Sequence, residues 1–421
     1  MRSTADSMRS FRSSRTPLPD PARRLPFAWL MVAGLAAASA AIGLAAAAPA
    51  DQAPPATLQA ERIEHTPAEL TAIARLLAGV DPQAASAGLQ AVAKTDAWKT
   101  HRKASRYGDR HLQDRLQKMD QWQRTTLPAA RAGSALIYPF SGPDFVNAFA
   151  LFPDYQTYVF FSLELPGDIP ALAQMDERQL GVLFSDLRSA LNDLVALNFF
   201  ITPNMKENLQ TDSLQGTLPV LLAQMGLLGL TVDSVEPFDP WPSSARSAPE
   251  GKPAARGAPA GKPALPMRAI RIEFDDRAKV RRTLLYLSLD VSDAQLRHYP
   301  EFVPWLRTFE QPTVLLKSAS YLLHGSNFRK VRGVVSERAR LIVQDDTGMP
   351  YRILRDDGFR ISLYGQYERP VKLFENRYQK DLDDAFGSAG NTDPVPFPFG
   401  YNWRKEGRSG VIVARRPGAE S

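Results

Sequence analysis

The stretch from Ala135 to Phe161 constrains the fold more than any other part of the chain. Leu136-Ile137-Tyr138 is a short apolar run and Ser141-Gly142 a turn signal. Pro143-Asp144 then opens a helix carrying Phe145, Val146, Phe149 and Phe152, and Tyr158-Val159-Phe160-Phe161 follows as a buried strand. Strand, helix and strand within about thirty residues predict a parallel βαβ unit near 135–165. A long helix comes next, with Asp176 as cap and Gln179 three residues on. Its apolar positions Leu180, Leu183, Phe184, Leu187, Leu191, Leu194 and Val195 keep the helical period for four turns.

Before this unit, the region 51–134 is helical by pattern. Thr66-Pro67-Ala68-Glu69 combines a capping box with proline at the first helical position, and Leu70, Ile73, Ala74 and Leu77 follow at helical spacing. Lys94 to Arg131 is strongly basic, with an apolar stripe at Leu112, Leu116 and Met119 and a tryptophan at either end, Trp98 and Trp122. Such a helix can offer its Lys/Arg face to an acidic polymer or an anionic membrane; the ordinary alternative is a solvated amphipathic helix, because Asp96, Asp109, Asp114 and Asp120 break up the charge.

After it, the region 135–421 continues as mixed α/β. A helix is expected over Thr217–Met225 and strands over Leu230–Val235, Ile270–Phe274 and Leu284–Leu289. A helix ending in Phe302-Val303-Pro304-Trp305-Leu306 follows, then a strand at Val314-Leu315-Leu316. A helix carrying His324 is expected over Ala319–Arg338, with Gly325-Ser326-Asn327 as a point of interruption. Two turn signals, at Asp345-Asp346-Thr347-Gly348 and Asp356-Asp357-Gly358, divide the runs Leu341–Val343, Tyr351–Leu354 and Phe359–Tyr364 into an expected antiparallel meander near 340–365. Val411–Ala414 is the last expected strand. Parallel and antiparallel pairing with interspersed helices make the fold class α/β to α+β, built on a mixed sheet with N-terminal helices.

Pro237 to Pro266 interrupts this order with eight Pro, seven Ala and three Gly, and repeats Gly-Lys-Pro-Ala at Gly251 and Gly261. It cannot bury a core, so an exposed, disordered insertion within one sheet is expected there. At the N-terminus, six arginines up to Arg24 precede an uncharged segment from Phe27 to Ala48, and Ala48-Pro49-Ala50 fits the small-residue cleavage pattern of a secretory signal. Residues 1–50 are expected to be removed, leaving Asp51 first in a periplasmic or secreted protein. The alternative is retention of 27–48 as an inner-membrane anchor, since the segment is long enough to span a bilayer; against it, only eight of its residues are large and apolar. The net charge of +6 includes +4 from the first fifty residues, where six Arg face Asp6 and Asp20, so the mature chain is close to neutral and its composition gives no support for nucleic-acid binding. Cysteine is absent, which excludes disulfides, thiolate metal sites and a cysteine nucleophile.

The runs Tyr-Pro-Phe-Ser-Gly-Pro-Asp-Phe from Tyr138, Tyr-Leu-Leu-His-Gly-Ser-Asn-Phe from Tyr321 and Val-Gln-Asp-Asp-Thr-Gly-Met-Pro-Tyr from Val343 are similar to a family of secreted bacterial proteins with no assigned activity. The resemblance covers most of the mature chain. It implies export and a single compact unit, and it carries no catalytic residue across.

Six residues are candidates for a ligand or active cleft: Ser141, Asp144, Glu164, His324, Asp345 and Asp346. Ser141-Gly142-Pro143-Asp144 joins a strand to a helix, where α/β proteins place ligands, and Glu164 ends the next strand, where nucleotide-binding folds put a ribose-binding acid. Against a nucleotide stand the lack of G-x-G-x-x-G, the missing N–H of Pro143 and the negative charge of Asp144. The local alternative is a helix start capped by Ser141 or Gly142, with Pro143 first and Asp144 favouring the dipole. Ser141, His324 and Asp345 or Asp346 would supply nucleophile, base and orienting acid for acyl transfer, although Ser141 lacks a G-x-S-x-G elbow. A glycosidase-like carboxylate pair is a further possibility among Asp144, Glu164, Asp345 and Asp346. His65, His101, His111 and His298 show no metal-ligand spacing, so no metal and no cofactor is called for. The aromatics Phe397, Phe399, Tyr401 and Trp403 either stack on a sugar or pack the terminal segment onto the core. The sequence thus favours an exported protein that binds a ligand or envelope partner over an envelope hydrolase of esters or glycosides.

Overall fold

The computed structural model of the protein describes residues 65–131, 133–197, 214–241, 268–401 and 409–418, all within one compact unit, Ile63–Ser421. The N-terminal residues 1–64, among them the segment 27–48, most of the Pro/Ala/Gly-rich insertion and Trp403 lie outside the described residues. No helix among the described residues is long and apolar enough to cross a membrane.

Nine strands form one mixed sheet. They are β1 (Ala135–Pro139), β2 (Thr157–Ser162), β3 (Thr231–Pro237), β4 (Arg268–Asp275), β5 (Arg281–Ser288), β6 (Thr313–Leu316), β7 (Leu341–Gln344), β8 (Arg360–Tyr364) and β9 (Val411–Arg415). Their spatial order is β3-β4-β5-β2-β1-β6-β7-β9-β8. The central five, β5-β2-β1-β6-β7, are all parallel, and each end is finished by antiparallel pairing: β4 and β3 on one side, β9 and β8 on the other. The βαβ unit predicted for 135–165 is present as β1, α4 (Phe145–Leu151) and β2.

Alternation along the parallel strands divides the core in two, because successive side chains point to opposite faces. Leu136, Tyr138, Tyr158, Phe160, Leu284, Tyr286, Leu315 and Val343 join one cluster; Ile137, Val159, Phe161, Leu285, Leu287, Val314, Leu316 and Ile342 join the other. The first face is covered by α1 (Pro67–Leu77), α3 (Asp96–Thr126), α4, α5 (Glu177–Leu197) and α6 (Leu218–Leu227), with the short α2 (Ala87–Val92) beside them. The second is covered by α7 (Phe302–Leu306), α8 (Arg329–Arg338), α9 (Tyr351–Asp356) and α10 (Lys380–Ala389). The crossover leaving β1 packs on one face and those through α7 and α8 pack on the other, so the winding reverses between β1 and β6. In such sheets that reversal opens a crevice at the carboxyl ends of the strands.

Several local expectations hold in detail. Thr66 and Glu69 form a reciprocal capping box, with Glu69 N–H donating to Thr66 Oγ1 at 3.3 Å and Thr66 N–H to Glu69 Oε2 at 3.0 Å. Asp176 and Gln179 do the same at 2.8 and 2.9 Å ahead of α5. The basic segment is one long helix, α3, which buries Trp98, Leu112, Met119 and Trp122 and pairs its outward charges as Lys99–Asp96, Lys118–Asp114 and Arg124–Asp120. Phe397 and Phe399 are buried in the first core.

Three expectations are corrected. The region 340–365 is not a meander: Tyr351–Asp356 is the helix α9, and β9, from the far end of the chain, inserts between β7 and β8 and pairs antiparallel with both. The helix carrying His324 begins only at Arg329, because Ser318, Ser320 and Tyr321 adopt left-handed backbone angles (φ 55°, 52° and 55°) and only short 3₁₀ turns precede α8. The insertion does not begin at Pro237. Pro237 pairs with Ile270, Phe238 N–H donates to Ala269 O at 2.9 Å, and Trp241 is buried in the second core.

Candidate functional site

The two loops flanking the reversal share an uncommon backbone. After β1, Phe140 takes φ 58° and Gly142 φ 51°; after β6 come the three left-handed residues of Ser318–Tyr321. Seven non-glycine residues of the described chain have positive φ, and four of them, Phe140, Ser318, Ser320 and Tyr321, lie on these loops. Each costs roughly 1–2 kcal/mol relative to a right-handed conformation, so surrounding contacts must hold them. Phe140 is pinned by its N–H to Phe161 O at 2.8 Å and Tyr321 by its N–H to Thr347 O at 3.0 Å. Backbone held in sparsely populated angles clusters at binding and catalytic sites.

Between the loops lies a solvent-open cleft of about 130 Å³. The ends of four neighbouring parallel strands line it: Phe140, Ser141 and Asp144 after β1, Ser162 to Glu164 at β2, Leu289 to Val291 after β5, and Lys317 to Ser320 after β6. Tyr286 Oη bonds Ser162 Oγ at 2.7 Å and Glu164 O at 3.0 Å, which fixes the turn carrying Glu164. Ser288 Oγ supports the same turn through Leu163 O. Leu163 stands at the rim and is 53% exposed. Ser141 is 5% exposed, and its Oγ has no hydrogen-bond partner among the described residues. A buried hydroxyl without a partner costs on the order of 1–3 kcal/mol, so a ligand that satisfied it would recover part of that.

Beneath the cleft is a buried ionic cluster. Asp144 Oδ2 pairs with Lys317 Nζ at 2.7 Å, both side chains being only 2% exposed. The same carboxylate accepts from Tyr138 Oη at 2.9 Å and from Asn147 Nδ2 at 2.7 Å. Burial lowers the Arg115 guanidinium to about 10, and the charge of Asp144 partly offsets this. Asp345 accepts from Ser318 N–H at 2.9 Å, Thr347 N–H at 2.9 Å and Thr347 Oγ1 at 2.5 Å. Gly400 covers it so closely that a Cβ there would fall 2.1 Å from Asp345 Oδ2. Asp346 is pushed up to about 7, first by burial and then by the neighbouring Asp345, and it accepts a hydrogen bond from Tyr321 Oη. Burial also lowers His324 to about 4, aided by Arg377 and Arg332, and its ring packs edge-on against Tyr321 at 5.1 Å.

The six sequence candidates therefore divide. Ser141, Asp144 and Glu164 line the cleft; His324, Asp345 and Asp346 are not among its lining residues and sit around Tyr321 behind the β6 loop. No hydrogen bond among the described residues joins His324 to Ser141, Asp345 or Asp346, so the relay of nucleophile, base and acid is not assembled. The local account of Asp144 is also corrected. The helix starts at Phe145 and Asp144 stands at its cap position without a capping bond, because its carboxylate is taken by Lys317, Tyr138 and Asn147. Lys317, Ser318, Asp290 and Tyr138 were missed. Lys317 and Asp290 follow apolar strand runs just as Glu164 does, and the rule that singled out Glu164 finds them too.

A second, more open depression lies between Gly365–Tyr367 and α10, lined by Asp383, Asp384, Ser388 and Thr392. It contains no buried side chain lacking a partner among the described residues. No group of three His, Asp or Glu placed to hold a metal occurs among the described residues. Compared with family models, curated proteins and solved structures, the chain matches none.

Proposed function

We propose that this is an exported ligand-binding protein of the cell envelope, and that the ligand enters the cleft at the carboxyl ends of β1, β2, β5 and β6. The observation that carries this is the coincidence, at the winding reversal, of left-handed loops with the unpartnered, buried Ser141 hydroxyl. Catalysis by Ser141 and His324 has no geometric support, since no base among the described residues is hydrogen-bonded to the hydroxyl.

A fragment screen by saturation-transfer NMR tests the site. Hits should weaken in Ser141→Ala and in the rim variant Leu163→Arg, and should persist in Asp384→Ala in the second depression. Hits indifferent to both cleft substitutions would reject it. Export is tested separately by mass spectrometry of the native protein, which should begin at Asp51. Recovery from membranes with residues 27–48 intact would instead establish the anchored form.

A further inference from the structure

We propose that the cleft selects a ligand bearing a vicinal diol and no anionic group, a nucleoside or pentoside without phosphate, held through Glu164 and Asp290. This rests on the cleft being the binding site.

Glu164 and Asp290 occupy equivalent positions, each two residues beyond the paired Ser162 and Ser288 of β2 and β5. Adjacent strands stand about 4.8 Å apart, so both carboxylates border the same short length of cleft wall. Neither is ion-paired among the described residues. Asp290 Oδ1 accepts from Ser292 N–H at 2.9 Å, which leaves Oδ2 for a ligand. Carboxylates only accept hydrogen bonds at neutral pH, so a matching ligand must donate, and adjacent hydroxyls donate in pairs. Ser141 Oγ, buried and unpartnered, supplies a third polar contact from the β1 loop. Phe140 and Phe328 pack edge to face at 5.6 Å and, with Leu289 and Leu322, form an apolar wall suited to a base or the flat side of a sugar.

Charge decides against anions. The lining holds three carboxylates against one ammonium, Lys317; Asp144 pairs with Lys317 and the Arg115 guanidinium lies near that pair, so the negative charge facing a ligand is that of Glu164 and Asp290. Where a glycine-rich loop would offer N–H groups to phosphate, this chain has Pro143, which has none, and Asp144.

Isothermal titration of the full mature chain with adenosine, 2′-deoxyadenosine, methyl riboside and AMP tests this. Adenosine should bind, 2′-deoxyadenosine and AMP should each bind about tenfold or more weakly, and Glu164→Gln should weaken adenosine by about tenfold. Binding of methyl riboside would show that the diol suffices; its failure beside adenosine binding would show that the apolar wall needs the base. AMP binding as tightly as adenosine, indifference to the 2′-hydroxyl, or an unchanged Glu164→Gln variant would each overturn the proposal. If no diol probe binds while fragment hits still depend on Ser141 and Leu163, the ligand class is wrong and the site stands. If no fragment depends on those residues, the site itself is wrong.

Discussion

Each edge of the parallel sheet carries an ion pair, partly buried at one edge and fully buried at the other, and the two pairs do different work. At the amino edge, Asp276 and Arg282 pair at 2.8 Å across the β4–β5 turn. Asp276 also accepts from Ala278 N–H at 2.8 Å and Val280 N–H at 2.9 Å, and Arg282 donates to Tyr155 O at 3.1 Å. These partners are mostly local, and they close a hairpin. At the carboxyl edge, Asp144 and Lys317 come from loops far apart in sequence, lie deeper, and hold those loops in strained conformations around an open cleft. One pair finishes a turn; the other keeps a site in shape.

The difference should be largest in stability. Lys317→Met leaves the Asp144 carboxylate buried beside Tyr138 and should cost about 3–5 kcal/mol by urea unfolding. Arg282→Met exposes Asp276 to a more accessible edge where two backbone N–H groups remain, and should cost about 1–3 kcal/mol. Adding Asp144→Asn to Lys317→Met should recover part of the loss, because the carboxylate that lost its closest partner is gone; the recovery stays partial because Arg115 then loses the charge that offsets its burial. Equal costs for the two single variants would erase the distinction drawn between the edges.

The edges should also answer pH with opposite sign. Burial would raise Asp276, but hydrogen bonds from Val280 N–H, Arg282 and Ala278 N–H outweigh it and hold the carboxyl below its ordinary value. Its contribution is therefore present above about pH 4, the unfolded value, and is lost on acidification. Asp346 stands at about 7 in the folded chain, so folding takes up a proton there and stability falls as pH rises from about 4 to 7. His324 and His101 oppose it. Burial lowers both to about 4, with neighbouring arginines adding to this and the Leu77 carbonyl resisting it at His101, so they remove stability as pH drops below about 6.5. In Asp346→Asn this offsetting contribution is lost, and thermal melts between pH 6.5 and 4 should show a steeper loss than the parent. An unchanged loss would mean that Asp346 titrates as an ordinary carboxyl.

The legibility of the two edges differs for a physical reason. The β1–α4–β2 unit, the Asp176 cap and the β4–β5 strands are written in local periodicity and turn chemistry. Ser141, Asp144 and Glu164 were found because the end of a parallel strand is a position that sequence order marks. The Ser318–Tyr321 loop has no such mark: Ser-Ala-Ser-Tyr is compatible with a helix, and its left-handed angles are imposed by Asp345 and Thr347 from the next strand. The insertion of β9 beside β7 was equally hidden, since pairing over that sequence distance leaves no local signal. Tyr351–Asp356 has strand-like side chains, yet Pro350 at its start and the Gly358 turn close it as a short helix.

The smallest expected effects bear most directly on the cleft. Ser318 combines a left-handed backbone with a buried hydroxyl that has no partner among the described residues, so Ser318→Gly removes two costs at once and should stabilise the protein by about 1 kcal/mol. Lys279→Gly, at φ 64° in the amino-edge turn, should stabilise by a similar or smaller amount. The two variants should part in function. Freeing the β6 loop loosens the wall that carries Lys317, so Ser318→Gly should weaken fragment binding in the cleft even as its melting temperature rises, while Lys279→Gly should leave binding untouched. Ser141→Ala is the companion case: it discards an unsatisfied buried hydroxyl, should stabilise the protein by about 1 kcal/mol, and should still lose affinity. If Ser318→Gly and Ser141→Ala bind fragments as the parent does, the strain at the carboxyl edge serves the fold alone.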